Sequence, residues 1–254
     1  MTMQRRNTFK FIGGIAIVAL IVIAVGVSGY IYVSGGSGKA SAPISAPQLS
    51  TNSTAQQVYR INPDKSEVQF SLTEVLMGNN ATAIGKTNQV TGDIAINLDN
   101  PASSTIGTIR IDARTLATDS SMRDRMIRSQ ILGSAQDQYE YIDFVPTSIS
   151  GLPDKVVAGQ ANPIKIAGNL TIHGQTHAET FSGTVTLTAD TPAQLQGTAT
   201  AQVQRADFNL QIPNVPTVAN VSDGVQLTIT FVADPVSASA ANASATAAAT
   251  ASAQ

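Results

Sequence analysis

The chain contains no cysteine, no tryptophan and only two histidines, His173 and His177, among its 254 residues. Without thiols there can be no disulfide, no thiolate metal ligand, no thiol nucleophile and no lipidated N-terminal cysteine. Two histidines leave a thin inventory for acid–base or metal chemistry. Aromatic residues make up 5% of the chain, too few to build a stacking platform for bases or sugars. Charge is scarce too, at 13% of residues with a net of −2, which removes the basic footprint that nucleic-acid binding needs. Four of the 15 basic residues (Arg5, Arg6, Lys10 and Lys39) precede residue 58 and no acidic residue does, so the remainder holds 11 basic against 17 acidic side chains. Attraction to phosphate backbones is therefore not what that portion is built for.

What is present divides into zones. Phe11 to Val33 is a run of 23 residues without a charge, and a helix rising ~1.5 Å per residue carries such a run across a hydrocarbon core of roughly 30 Å. Arg5, Arg6 and Lys10 precede it and only Lys39 follows closely, so the positive-inside bias leaves the N-terminus in the cytoplasm and everything after Val33 outside. Tyr30 and Tyr32 fall at the outer interface. The alternative is a cleaved signal peptide ending at Ala40-Ser41-Ala42. The apolar run exceeds the usual ~7–15 residues of such a signal, which favours an uncleaved anchor.

Residues 34–57 are Gly, Ser, Ala, Pro and Thr with almost no large apolar side chain, and read as a flexible tether. The Ala/Ser/Thr-rich tail, 237–254, reads as disordered, with transient helix as the alternative. The domain plan is thus a cytoplasmic N-terminus (1–10), a membrane span (11–33), a linker (34–57), one folded domain (58–236) and the tail (237–254).

Within the folded domain, apolar and polar residues alternate in short segments rich in Val, Ile and Thr, which is the period of strands. The segments are Glu67–Thr73, Asp93–Leu98, Thr108–Ala113, Tyr141–Ile149, Ile164–Ile172, Ala178–Ala189, Gln194–Val203 and Val225–Val232. One helix is credible, Ser120–Leu132, introduced by the capping candidates Thr118 and Asp119. The fold class is therefore all-β and antiparallel, and a sheet with one apolar face must pair with a second sheet or curl into a barrel. His173-Gly174 suits a tight hairpin turn requiring positive φ. Met77–Asn88 reads as a long Gly/Asn-rich loop, a lid or a mobile connection.

Little chemistry is visible. His173 and His177 lie roughly 13 Å apart if extended, so they share a metal only through a sharp turn at Gly174, and the hairpin accounts for His173 without one. Asp112, Arg114, Asp119, Arg123, Asp124, Arg125 and Arg128 form a mixed-charge cluster around the helix. Its arginines either grip an anionic head group or belong to a solvated face with local ion pairs. No nucleophile with an adjacent base is evident, so the chain reads as a binding protein and not an enzyme.

The segments carry a resemblance. Tyr59-Arg60-Ile61-Asn62-Pro63-Asp64-Lys65-Ser66, then Asp112-Ala113-Arg114-Thr115-Leu116-Ala117-Thr118 leading into Met122-Arg123-Asp124, open the pattern. Gly168-Asn169-Leu170-Thr171-Ile172-His173-Gly174-Gln175-Thr176, Gln204-Arg205-Ala206-Asp207-Phe208 and Val221-Ser222-Asp223-Gly224-Val225-Gln226-Leu227 complete it. In order and spacing these resemble the YceI-like, polyisoprenoid-binding, lipocalin-like domain over Tyr59–Asp234. The sequence departs from that family at Arg125-Met126 (commonly His-Leu), at Ile131-Leu132 (an aromatic pair) and at Glu140 (a proline).

The resemblance implies an extended, lipocalin-like antiparallel β-barrel with one short helix, an apolar interior holding an isoprenoid or similar lipid, no cofactor, and secretion or membrane attachment in a bacterium. The candidate wall positions are Val68, Phe70, Leu72, Ile94, Ile96, Ile109, Ile111, Ile142, Phe144, Phe181, Leu227, Ile229 and Phe231. For each the competing role is ordinary core packing, because periodicity does not separate a filled barrel from a hollow one. Arg123, Arg125 and Arg205 are the head-group candidates. The expected partners are a polyisoprenoid or other lipid and the membrane through the N-terminal helix, with no nucleic acid. The oligomeric state stays open, a dimer included. The second reading is a structural or stress-related envelope protein with a filled barrel that works through protein partners.

Overall fold

The structure, a computed structural model, describes residues 36–49 and 56–236. The proposed span at 11–33 and the tail at 237–254 lie outside the described residues, and no helix among the described residues is long and apolar enough to cross a membrane.

Thirteen antiparallel strands form one curled sheet. They are β1 (Gln56–Ile61), β2 (Glu67–Leu76), β3 (Asn79–Thr87), β4 (Val90–Thr91), β5 (Asp93–Asn97), β6 (Thr105–Ile106), β7 (Ile109–Asp112), β8 (Tyr141–Ser150), β9 (Ala161–Ile172), β10 (Gln175–Leu187), β11 (Leu195–Gln204), β12 (Val218–Ala219) and β13 (Gly224–Pro235). All eight predicted segments fall on strands. One helix, α1 (Ser121–Met126), is capped by Ser120, whose hydroxyl accepts from the Arg123 amide. The predicted Ser120–Leu132 helix is thus shorter as an α-helix and passes into a π-turn at Ile127–Ile131. Thr118 is not its cap. Its amide and hydroxyl instead donate to Asp124 Oδ1, both at 2.7 Å.

The sheet curls because paired strands hand over around it. β13 pairs with β11 on one side and with β2 and then β1 on the other. β3 pairs with β2, and a few residues later β4 pairs with β7. Backbone hydrogen bonds of 2.9 Å run both ways between Lys86 and Ala117, tying the end of β3 to the segment after β7. The path β7–β8–β9–β10–β11–β13 continues the curl from there.

The β3 strand corrects the loop expected at Met77–Asn88. The true turn is only Met77-Gly78, both at positive φ. The strand was hidden because its inward positions are small: Ala83 and Thr87 are buried, and a Cβ at Gly85 would overlap the Phe70 ring. His173 (φ 50) and Gly174 (φ 74) make the β9–β10 turn, as the dipeptide predicts.

Two ends can be distinguished. The Met77-Gly78 and His173-Gly174 turns, α1 and the 209–223 loop share one end, with Met77 N donating to Thr217 O at 2.8 Å and His173 Nδ1 to Leu132 O at 2.7 Å. Leu98 and Val157 belong to the other, where Gly159 N donates to Leu187 O at the close of β10.

Residues 36–49 lie along the outside of the sheet. The Ser41 hydroxyl donates to Glu140, Arg110 donates to the Ser45 carbonyl at 3.4 Å, and the Leu49 amide donates to Asp93 Oδ2 at 3.3 Å.

Gly85→Ala should lower the urea-unfolding free energy by about 1–3 kcal/mol, since the added methyl forces the Phe70 ring from its place.

Candidate functional site

Inward residues of the curled sheet enclose two adjoining apolar compartments. The first, of about 160 Å³, is lined by the middle and far end of the barrel, including Ile61, Ile106, Ile149, Leu152, Ile164 and Ile166. The second, of about 170 Å³, lies at the α1 end under Ile127, Ile131, Leu132, Val203, Phe208, Ile212 and Val215. Phe70, Leu116, Ile142, Ile172 and Leu227 line both, so these five side chains stand at the junction, or neck, where the two compartments adjoin. Apolar cavities of about 150 Å³ stay dry and accept a small hydrocarbon. Each compartment reaches that scale.

Of the predicted wall residues, Val68, Ile94, Ile96, Ile109, Ile111, Phe144, Phe181, Ile229 and Phe231 line the first compartment, and Phe70, Ile142 and Leu227 line both. Leu72 lines the second. Phe144 and Phe181 meet edge to face with ring centroids 4.9 Å apart. They come together because β8 and β10 flank β9, whose Gly168 leaves room for the Phe144 ring.

The sequence reading missed the far wall of the second compartment. Ile212, Val215, Val218 and Val221 belong to the 209–223 loop and the short β12. Their spacing has neither the strand nor the helix period, so only the fold turns them inward. Phe208 is fully buried with its ring 5.1 Å from that of His177. The R-x-D-F motif was the available signal.

The head-group candidates separate. Arg123 lines the second compartment and donates to Glu74 at 3.0 Å and to Asp119 at 2.6 Å. Glu74 is buried, with 7% of its side chain exposed, whereas Asp119 is 83% exposed. Arg205 also lines this compartment, but its donors hold the loop closed. Nη1 binds the Leu210 carbonyl at 2.7 Å and Nε the Ser222 carbonyl at 3.1 Å. Arg205 therefore clips the two ends of the 209–223 wall. Arg125 is half-buried on α1 and lines neither compartment.

The other charged residues of the cluster lie behind the wall. Arg114 donates to Asp137 at 2.6 Å and pairs with buried Glu140 at 3.2 Å. Asp112 is almost wholly buried and accepts from the Arg114 amide at 2.8 Å. Burial pushes the Asp112 carboxyl up, the charge of Glu140 adds to this, and the Arg114 amide and guanidinium oppose it. Burial pulls the Arg128 guanidinium down. Among the described residues no group of three His, Asp or Glu side chains is placed to hold a metal ion.

Two outcomes follow. Glu74→Gln should destabilise the fold by about 1–3 kcal/mol, because it replaces the buried, charge-assisted partner of Arg123 by a neutral one while Asp119 still pairs with the guanidinium, while Asp119→Asn should cost no more than about 1 kcal/mol; paired urea titrations distinguish them. The raised Asp112 pKa means that the folded chain holds this proton to higher pH than the unfolded chain does. Stability from this group is then greatest in acid and declines as pH rises from the ordinary carboxylate range through the folded value. Asp112→Asn keeps an oxygen acceptor for the Arg114 amide, so its stability relative to the parent should rise from acid to neutral pH.

A model of the YceI-like domain matches residues 59–233. Among solved structures, BcnA of Burkholderia cenocepacia superposes with a TM-score of 0.51 at 21% identity, over 68% of this chain and 99% of that one. A polyisoprenoid-binding domain from Saccharophagus degradans, described as implicated in plant cell wall breakdown, superposes at 0.54 with 13% identity over 70% and 98%. Identities this low speak for the fold alone. No curated protein matched. The family match spans well over half the chain and covers every strand of the barrel from within β1 to within β13, and on that ground the chain belongs to the YceI-like domain family.

Proposed function

We propose that this protein binds a polyisoprenoid or a similarly long apolar molecule in its barrel, as a carrier or sequestering protein and not a catalyst. The observation that carries this is the pair of compartments meeting at Phe70, Leu116, Ile142, Ile172 and Leu227. A chain threaded through the neck buries apolar surface at both ends, and each buried methylene contributes about 0.8 kcal/mol. Charged side chains line only the α1 end, where Glu74, Arg123 and Arg205 lie, whereas the polar residues of the first compartment, Gln69, Ser104, Thr184 and Thr228, are uncharged. A long hydrocarbon with one polar terminus suits that asymmetry. The polyisoprenoid-binding description of the Saccharophagus degradans domain supports the same ligand class.

The proposal includes the membrane. The uncharged run at 11–33, with its basic residues on the N-terminal side, supports a single-pass bacterial membrane protein whose barrel lies outside the cytoplasm.

The test uses the full chain purified in mild detergent, with native mass spectrometry before and after exposure to a long-chain polyprenol. A bound hydrocarbon, retained or taken up, is the expected result. A chain that is empty and stays empty overturns the proposal. Leu227→Trp plugs the neck. It should abolish uptake of the polyprenol while leaving the circular dichroism spectrum unchanged, with a stability change within about 1–3 kcal/mol.

A further inference from the structure

Residues 36–49, which lie between the apolar run and the barrel in sequence, are docked on the sheet. Gly36 lies against Ala135, where a side chain at Gly36 would come within 3.6 Å of the Ala135 Cβ. Gly38 lies on the Arg128 guanidinium, with 3.1 Å from a Cβ there to Nη1. From these the segment passes Glu140, Arg110 and finally Asp93 through the hydrogen bonds of Ser41, Ser45 and Leu49. Gly38, Ala40, Ile44, Ala46 and Leu49 are the half-buried positions along it. Its first described residues therefore meet the barrel at the α1 end, because Ala135 follows the π-turn and Gly133, which packs on the His173 ring of the β9–β10 turn.

The apolar run ends at Val33, three residues before Gly36. Fully extended, three residues reach no more than roughly 11 Å. β10 alone has 13 residues, and at ~3.3 Å per residue it is some 40 Å long. The stretch of sequence between the apolar run and the docked residues is thus short against the barrel. An undocked chain over 34–55 would span up to roughly 75 Å and let the domain turn in any direction. Docking takes that freedom away.

We infer that residues 36–49 are a strap that turns the α1 end of the barrel toward the membrane and holds it there, so that the partner of this end is the surface of a lipid bilayer. This rests on the proposed span at 11–33. The second compartment, with its wall of α1 and the 209–223 loop, then faces the bilayer, while Leu98 and Val157 face away. A hydrocarbon leaving the membrane enters the compartment nearest to it without crossing the length of the barrel through water.

The chain has no cysteine, so single labels can be placed without background. Met77→Cys and Met122→Cys label the α1 end, and Leu98→Cys and Val157→Cys the opposite end. All four parent side chains are exposed. Each full-length variant is reconstituted into vesicles of phosphatidylethanolamine and phosphatidylglycerol, labelled with an environment-insensitive fluorophore, and read against a lipid carrying a nitroxide on its head group. Quenching at 77 and 122 with none at 98 and 157 is expected. A flexible Gly/Ser insertion between Ser34 and Gly35 should remove that difference. Equal quenching at both ends, the reverse order, or a difference that survives the insertion overturns the strap while leaving a membrane-held carrier intact. Release of the chain by alkaline carbonate overturns the span, and the strap's role with it.

Discussion

The curl of one antiparallel sheet is what every other feature of this molecule requires. β3 satisfies β2, and the same stretch of chain, now β4, satisfies β7, so the sheet bends round here. The Lys86–Ala117 hydrogen bonds reinforce the bend where the strand changes partners. An edge left unpaired there would expose backbone donors and acceptors. Once the sheet has curled, each strand delivers alternate side chains to a shared interior, and the interior becomes apolar because those alternates are Val, Ile, Leu and Phe.

Charge is confined by the same geometry. A buried carboxylate is tolerated only with partners, and Glu74 meets that condition through Arg123. Arg205 spends its donors on the carbonyls of Leu210 and Ser222, which makes a wall from a loop that has no ladder of its own. Asp112, Arg114 and Glu140 form a second polar group on the other side of the wall, away from the compartments. Charge therefore borders one compartment only. That restriction gives the interior a direction, from an uncharged far end to a partly charged end beside α1.

Much of the barrel was legible from two-residue periodicity. The Val68, Phe70, Leu72 face and the Leu227, Ile229, Phe231 face are each three apolar side chains in strict alternation, and they pair across β2 and β13. β3 was not legible, because a strand whose inward face is Ala83, Gly85 and Thr87 has no apolar contrast to read. Its small residues exist to admit the Phe70 ring, a requirement set by the neighbouring strand. The docking of 36–49 was equally hidden. Composition records the shortage of large apolar side chains there, whereas the segment is held chiefly by hydrogen bonds to partners distant in sequence, Glu140, Arg110 and Asp93.

The sequence by itself determined the all-β class, the wall positions on regular strands and the hairpin at His173-Gly174, because each depends on a local period or a backbone preference within a few residues. Only the tertiary structure decided that the interior holds two compartments, that they adjoin at Phe70, Leu116, Ile142, Ile172 and Leu227, and that Ile212, Val215 and Val221 line one end. Hollowness is a difference between enclosed volume and side-chain volume. The enclosed volume is set by how strands far apart in the chain are paired, and no local pattern of residues contains it.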